Sequence, residues 1–290
     1  MYKSNAIEAI ILYCSLDRRF IAPCLENLLR TGFVSCHVIM YDHLYGGVPE
    51  DVTAEESFIR KSAEEWFNAG LVRLTTLPWQ PAESTLYFEA AGRYYGAQQS
   101  TARHLLFIDA DEIVDTVAFT RWCTNDWDKS KKAVKLNQYL YFIHPAYRLD
   151  VQSHNTVIAD GNYARSLPLR VEARWNAYWN NQNRLSRWTA KLGLNPYFSI
   201  QRGTPFIHHF TYVRTKAEML KKVANWSHNK DHDNWAELIE QLYANANKHK
   251  IGGHGFTHVE NVFDIDTTDL FTIKEINELQ LQEISKLEVV

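Results

Sequence analysis

Four short apolar runs, separated by three stretches of helical spacing, fill the first 115 residues and leave few folds open to this chain. "IEAIILYC" (7–14), "SCHVIMYD" (35–42), "LVRLTTL" (71–77) and "HLLFIDAD" (104–111) have the length and apolar character of buried strands. Between them, "RRFIAPCLENLLRTG" spaces Phe20, Cys24, Leu28 and Leu29 along one helical face and ends on Gly32, a C-terminal cap. Residues 53–69 carry Phe58, Ala63, Trp66 and Phe67 at helical positions, and "ESTLYFEAAGRYYGAQQS" (83–100) gives a third helix. Strands buried on both faces and joined by helical crossovers run parallel, so the expected fold is α/β, a mostly parallel central sheet flanked by helices.

Past residue 130 the rhythm changes. "KKAVKLNQYLYFIH", "NTVIADGNYAR", "LPLRVEA" and "PFIHHFTYV" read as strands without long helices between them. Residues 175–195 mix loop with a short helix, 215–249 read as two helices broken near "HNKDHD", "GGHGFTH" as a flexible loop, and 273–288 as an amphipathic helix. The expected division is residues 1–128 for one half of a single domain, 129–214 for a second half and 215–290 for a helical extension.

The bulk numbers exclude several classes. A net charge of −3 is wrong for a general nucleic-acid binder. Four cysteines without CxxC spacing point to a reducing compartment rather than a disulfide framework. Glu8 interrupts the only apolar run near the N-terminus, and no run approaches the ~20 apolar residues of a membrane span. A cytoplasmic protein is expected, with any membrane contact peripheral.

Chemistry concentrates at strand ends. Asp42, Asp109 and Asp111 each close an apolar strand, and ligands of open parallel sheets sit beyond those carboxyl ends. Two carboxylates one residue apart can hold a hard cation such as Mg²⁺ or Mn²⁺. The same pattern also serves as a turn or a helix N-cap.

Spacing extends the pattern upstream. In "GRYYGAQQSTARHLLFIDADE", Arg93 stands sixteen residues before Asp109, and Gly96 follows Arg93 by three. With the opening strand, helix and "VIMYD" strand, this resembles the GT-A glycosyltransferases of the family-2-like group over residues 6–115, and more loosely over 205–230. Tyr94 stands where that family usually has Asn, and Glu112 where it often has Asp.

The resemblance implies a GT-A type fold and a metal-dependent transferase that moves a sugar from a UDP- or GDP-sugar donor to a glycan or glycolipid acceptor, with inversion. It implies that Tyr13 to Ser15 and Asp42 line the base and ribose pocket. Arg93 would contact the nucleotide or brace the acidic loop. Asp109 would face the ribose or a metal-bound water, Asp111 would be the principal metal ligand, and Glu112 would orient the acceptor or a water further out. "PFIHHFTYVRTK" resembles the segment that supplies a metal-ligating histidine in several such enzymes. An extended strand puts His208 and His209 on opposite faces, and His209 is the preferred ligand. Arg214 and Lys216 would neutralise the departing diphosphate; the alternative for both is a solvated helix face.

Single displacement also needs a general base for the acceptor hydroxyl. Asp160 is preferred and Glu172 is second, since each ends an expected strand in the acceptor half. Trp175, Trp179 and Trp188, with Tyr178, could stack on sugars or pack a core. Two other readings stand beside the transferase: a nucleotidyltransferase forming nucleotide-sugars, against which the glycine-free "LYCSLDRRF" counts, and a non-catalytic carbohydrate-binding protein on a transferase fold.

Overall fold

Alternating side chains of one central strand set the layering. The computed structural model of the chain describes residues 6–80, 85–142, 144–153, 155–169, 174, 203–226, 234–244, 250–251 and 254–258. Strand β1 (Ile7–Leu12) is buried throughout. Its Ala9 and Ile11 join a cluster with Phe20, Ile21, Leu25 and Leu28 of α1 (Arg18–Leu29). Its Ile10 and Leu12 join a second cluster on the opposite face, with Ala97 of α4 (Thr85–Gln99). Each of the Ile, Leu and Phe side chains among them contributes roughly 1.5–3 kcal/mol by leaving water, so helices cover both faces.

The first sheet has the order β3-β2-β1-β4-β9-β6, with β2 (Val34–Tyr41), β3 (Val72–Leu77), β4 (His104–Asp109), β6 (Ala133–Lys135) and β9 (Val157–Asp160). The pairs β3–β2, β2–β1 and β1–β4 are parallel, and β9 runs against both of its neighbours. The expected α/β architecture with a mostly parallel sheet is therefore present. Strand order reverses between β1 and β4, where Leu12 is level with Asp109. A crevice opens at such a switch point.

A second sheet has the order β11-β12-β8-β7-β10-β5. Its members are β5 (Glu112–Val114), β7 (Asn137–Phe142), β8 (His144–Ser153), β10 (Phe206–Tyr212), β11 (Lys250–Ile251) and β12 (His254–His258). Ala110 and Asp111 alone separate β4 of the first sheet from β5 of the second.

Three local expectations are corrected. Residues 131–144 are not one strand: Leu136 divides β6 from β7, which lie in different sheets. Residues 155–165 are strand only to Asp160, because its carboxylate accepts from Tyr163 N and starts α6 (Gly161–Ser166). "GGHGFTH" is no loop at 254–258, where β12 pairs with β8. A division at residue 128 also fails to coincide with the sheets, since β6 and β9 complete the first sheet and β5 belongs to the second. The remaining elements are α2 (Val52–Ser62), α3 (Glu64–Asn68), α5 (Thr116–Asn125), α7 (Lys216–Asn225) and α8 (Trp235–Ala244). The two helices expected within 215–249 are α7 and α8. The helix expected at 273–288 and the Trp175–Trp188 region lie outside the described residues.

Candidate active site

Glycine brings the first cation to the acids. Gly92 and Gly96 put α4 so close to β1 that a Cβ on Gly96 would come 2.5 Å from Ile10 Cγ2, and one on Gly92 2.7 Å from Leu12 Cδ2. Arg93, between them, is buried and reaches Asp109 Oδ1 with Nη2 at 3.0 Å and Glu89 Oε2 with Nη1 at 3.3 Å. These contacts tie it to the acidic turn. Arg174 holds the other Asp109 oxygen at 2.9 Å and Glu112 Oε1 at 2.6 Å. Burial would push the Asp109 carboxyl up, but Arg174 and Arg93 outweigh it and hold it below its ordinary value.

Glu112 is fully buried and committed to the protein. It accepts from Gln138 Nε2 at 2.6 Å, Thr156 Oγ1 at 3.0 Å, the Asp109 backbone N at 3.0 Å and Arg174. An acid so occupied shapes the turn, and the expected acceptor-orienting role is replaced by a structural one.

Asp111 faces a different set of partners. Lys222 Nζ lies 2.6 Å from its Oδ2, Arg214 3.6 Å from the same oxygen, and His209 Nε2 3.5 Å from Oδ1. Burial opposes its ionisation, but Lys222, His209 and Arg214 together hold the carboxyl well below the usual range. Burial would lower the His209 pKa, and the Asp111 carboxylate raises it on balance. His208 points to the opposite face, where its Nδ1 meets Tyr141 OH at 2.6 Å; burial and Arg148 push it down to about 3, so it is neutral. The two histidines thus separate as the strand period requires, with His209 at the acids.

Asp17, in the turn after β1, completes the cluster. It pairs with Arg214, with Lys222 Nζ at 3.1 Å and with Cys14 Sγ at 3.4 Å. Arg214 is buried and also donates to the Leu16 and Thr211 carbonyls. Asp17, Glu89, Asp109, Asp111 and Glu112 therefore face Arg93, Arg174, Arg214 and Lys222, and a protonated His209 would balance the charge.

The expected nucleotide-pocket residues are placed less uniformly. Asp42 is partly exposed at the end of β2, where its Oδ1 accepts from Trp79 N at 2.6 Å and His43 Nδ1 at 2.8 Å. The His43 and Trp79 rings stack beside it with centroids 5.2 Å apart. The Ser15 N–H donates to Glu50 Oε1 at 3.0 Å, and its hydroxyl donates to the same carboxylate. The Tyr13 side chain is buried and donates to Glu55.

Two expected residues lie away from the cluster. Asp160 is level with His104, at the opposite end of β4 from Asp109, and caps α6; it is not brought to the acids. Lys216 is half-exposed at the start of α7 and pairs with Glu240 at 2.9 Å. The cation delivered by α7 is Lys222 instead. Its signal in the sequence was a lysine on the apolar stripe between Met219 and Val223, both buried. Asp17 and Arg174 gave no comparable signal. Glu172 lies outside the described residues.

Among the described residues no three His, Cys, Asp or Glu side chains converge to hold a cation. Asp109 is spent on two arginines. Asp111 Oδ1 and His209 Nε2 remain as two ligand atoms facing one another, and His209 Nδ1 is buried with no hydrogen-bond partner among the described residues. A two-residue protein site fits a Mg²⁺ or Mn²⁺ ion whose other ligands are substrate oxygens and water.

No protein-family model and no curated protein matches the chain. Among solved structures, it resembles glucosyl-3-phosphoglycerate synthase of Mycobacterium tuberculosis in complex with Mn²⁺, UDP and phosphoglyceric acid, at 12% identity over 81% of this chain and 77% of that one, TM-score 0.43. It also resembles the galactosyltransferase LgtC, at 10% identity over 70% and 86%, TM-score 0.37. A third likeness is to 4-diphosphocytidyl-2C-methyl-D-erythritol synthase, at 12% identity over 77% and 99%, TM-score 0.39. Glycosyltransferases and a nucleotidyltransferase are thus both among the similar structures. Likenesses this remote carry no argument about activity.

Proposed function

We propose that the protein is a glycosyltransferase that takes a sugar from a UDP- or GDP-sugar and passes it to a glycan or glycolipid acceptor. The observation that carries this reading is the pairing of Asp111 and His209, flanked by Arg214 and Lys222, at the switch point between β1 and β4. Carboxylate and imidazole suit a divalent cation, and buried cations beside them suit the diphosphate that such a cation accompanies. A nucleoside fits against Asp42 and the stacked His43 and Trp79 rings, next to Ser15.

In this reading each protein group has a distinct task. A bound Mg²⁺ or Mn²⁺ would neutralise charge as the nucleoside diphosphate departs. Asp111 and His209, its imidazole then neutral, would hold that ion. Arg93, Arg174 and Glu112 keep the turn rigid, so that the carboxylate of Asp111 is preorganised. Arg214, fixed by Leu16 and Thr211, contributes a stationary positive charge. Glu172, two positions before Arg174 in sequence, is the candidate base for an inverting single displacement.

The test is release of UDP or GDP from a panel of nucleotide-sugars with Mn²⁺ or Mg²⁺, for the wild type and for Asp111→Asn. Turnover that falls by about a hundredfold or more in the variant supports the reading. Absence of turnover with every donor, or an unimpaired and folded Asp111→Asn protein, removes it.

A further inference from the structure

Lys222 is buried on the apolar stripe of α7, a place a lysine occupies only when its charge is matched. Its Nζ is matched by two carboxylates from separate turns, Asp17 at 3.1 Å and Asp111 at 2.6 Å. The neighbouring Arg214 is tied differently, to two backbone carbonyls as well as to Asp17. Arginine is thereby fixed in place. Lysine is a compact charge on a flexible stem, and among the described residues its ion pairs are with the two acids.

Asp111 cannot hold Lys222 on Oδ2 at 2.6 Å and a divalent cation on Oδ1 at full strength together, because the two cations would repel across a few ångströms of buried space. The cluster is close to charge balance already. A divalent cation arriving alone upsets that balance, whereas a cation arriving with a doubly charged diphosphate does not. The diphosphate is also the anion an ammonium released from Asp111 would find.

We propose that Lys222 is the resident counter-ion of this site. It neutralises Asp17 and Asp111 before substrate arrives, and it transfers to the donor's diphosphate when a divalent cation takes Asp111. The inference rests on the transferase reading for the identity of the diphosphate, but its first test needs no turnover.

Mn²⁺ alone is titrated into wild type, Lys222→Met and Lys222→Met/Asp111→Asn, with free Mn²⁺ followed by electron paramagnetic resonance. Removing the competing ammonium should tighten Mn²⁺ binding by about tenfold or more, and adding Asp111→Asn should abolish the gain. In saturating Mn²⁺, inorganic pyrophosphate should bind about tenfold more weakly to Lys222→Met, with partial recovery in Lys222→Arg. Circular dichroism checks folding, and Lys222→Gln replaces the Met variant if that one does not fold. Mn²⁺ binding no tighter in the variant than in wild type, or unchanged pyrophosphate affinity, overturns the proposal. Failure to turn over any nucleotide-sugar would remove the transferase reading while leaving the Mn²⁺ titration decisive for Lys222.

Discussion

Arg93 Nη2 lies 3.0 Å from Asp109 Oδ1, sixteen residues away along the chain, with the arginine almost wholly buried. Orphaning a fully buried charge costs about 3–5 kcal/mol, but Asp109 keeps Arg174 and is a quarter exposed. Arg93→Leu should therefore lower stability by less than that in urea unfolding, on the order of 1–3 kcal/mol. Arg93→Lys should recover only part of it, since one ammonium cannot span Asp109 and Glu89 as the guanidinium fork does. Full recovery by lysine would show that the fork is unimportant.

Gly96→Ala tests the close approach of α4 to β1. Alanine favours helix by about 1 kcal/mol, but its methyl would lie 2.5 Å from Ile10 Cγ2, on a stiff β-branched side chain. Overpacking of about 1–3 kcal/mol wins, so the melting temperature should fall. A rise would mean that Ile10 has room to yield.

Asp160→Ala separates a cap from a catalytic base. Loss of the Tyr163 N–H partner should cost about 0.5–2 kcal/mol of stability. Turnover of whatever donor the wild type accepts should persist within about threefold, because a residue outside the site carries no share of the barrier. A hundredfold loss in a folded variant would return Asp160 to the chemistry.

Acid should weaken the fold through two neutral histidines. Burial, reinforced by Arg73 at His37 and by Arg148 at His208, pushes both down to about 3 from an ordinary 6.5. Between those values the unfolded chain binds the extra protons. Their contribution to stability is complete above pH 6.5 and is lost as pH falls toward 3, at up to about 1.4 kcal/mol per pH unit for each group. Urea unfolding across this range should show that slope in the wild type and a shallower one in His37→Gln/His208→Gln.

The parallel half of the fold was legible because its strands are apolar on both faces and regularly spaced by helices. Arg93, Gly96 and Asp109 were legible for a related reason: one helix and the next strand fix their separation locally. Asp111 and His209 were named separately, and the strand period divided His208 from His209 correctly. Their meeting was not readable, because the pairing of His209 with Glu112 joins distant parts of the chain. The apolar stripe of Met219 and Val223 beside Lys222 was a faint signal, masked by Lys216 and Lys221, the same residue type on the same helix. Only tertiary docking of α7 decides which lysine turns inward. The split of β6 from β7 was equally invisible, because Leu136 is apolar and nothing local marks a change of sheet.

The two-residue passage from β4 to β5 has a consequence for how the protein can be taken apart. Glu112 lies on the near side of any cut at residue 128, and its partners Gln138, Thr156 and Arg174 lie on the far side. A fragment ending there would retain every acid of the turn and forfeit most of what positions them. The carboxylates of the turn and their scaffold are thus inherited as one indivisible piece, whatever modular boundary the sequence suggests.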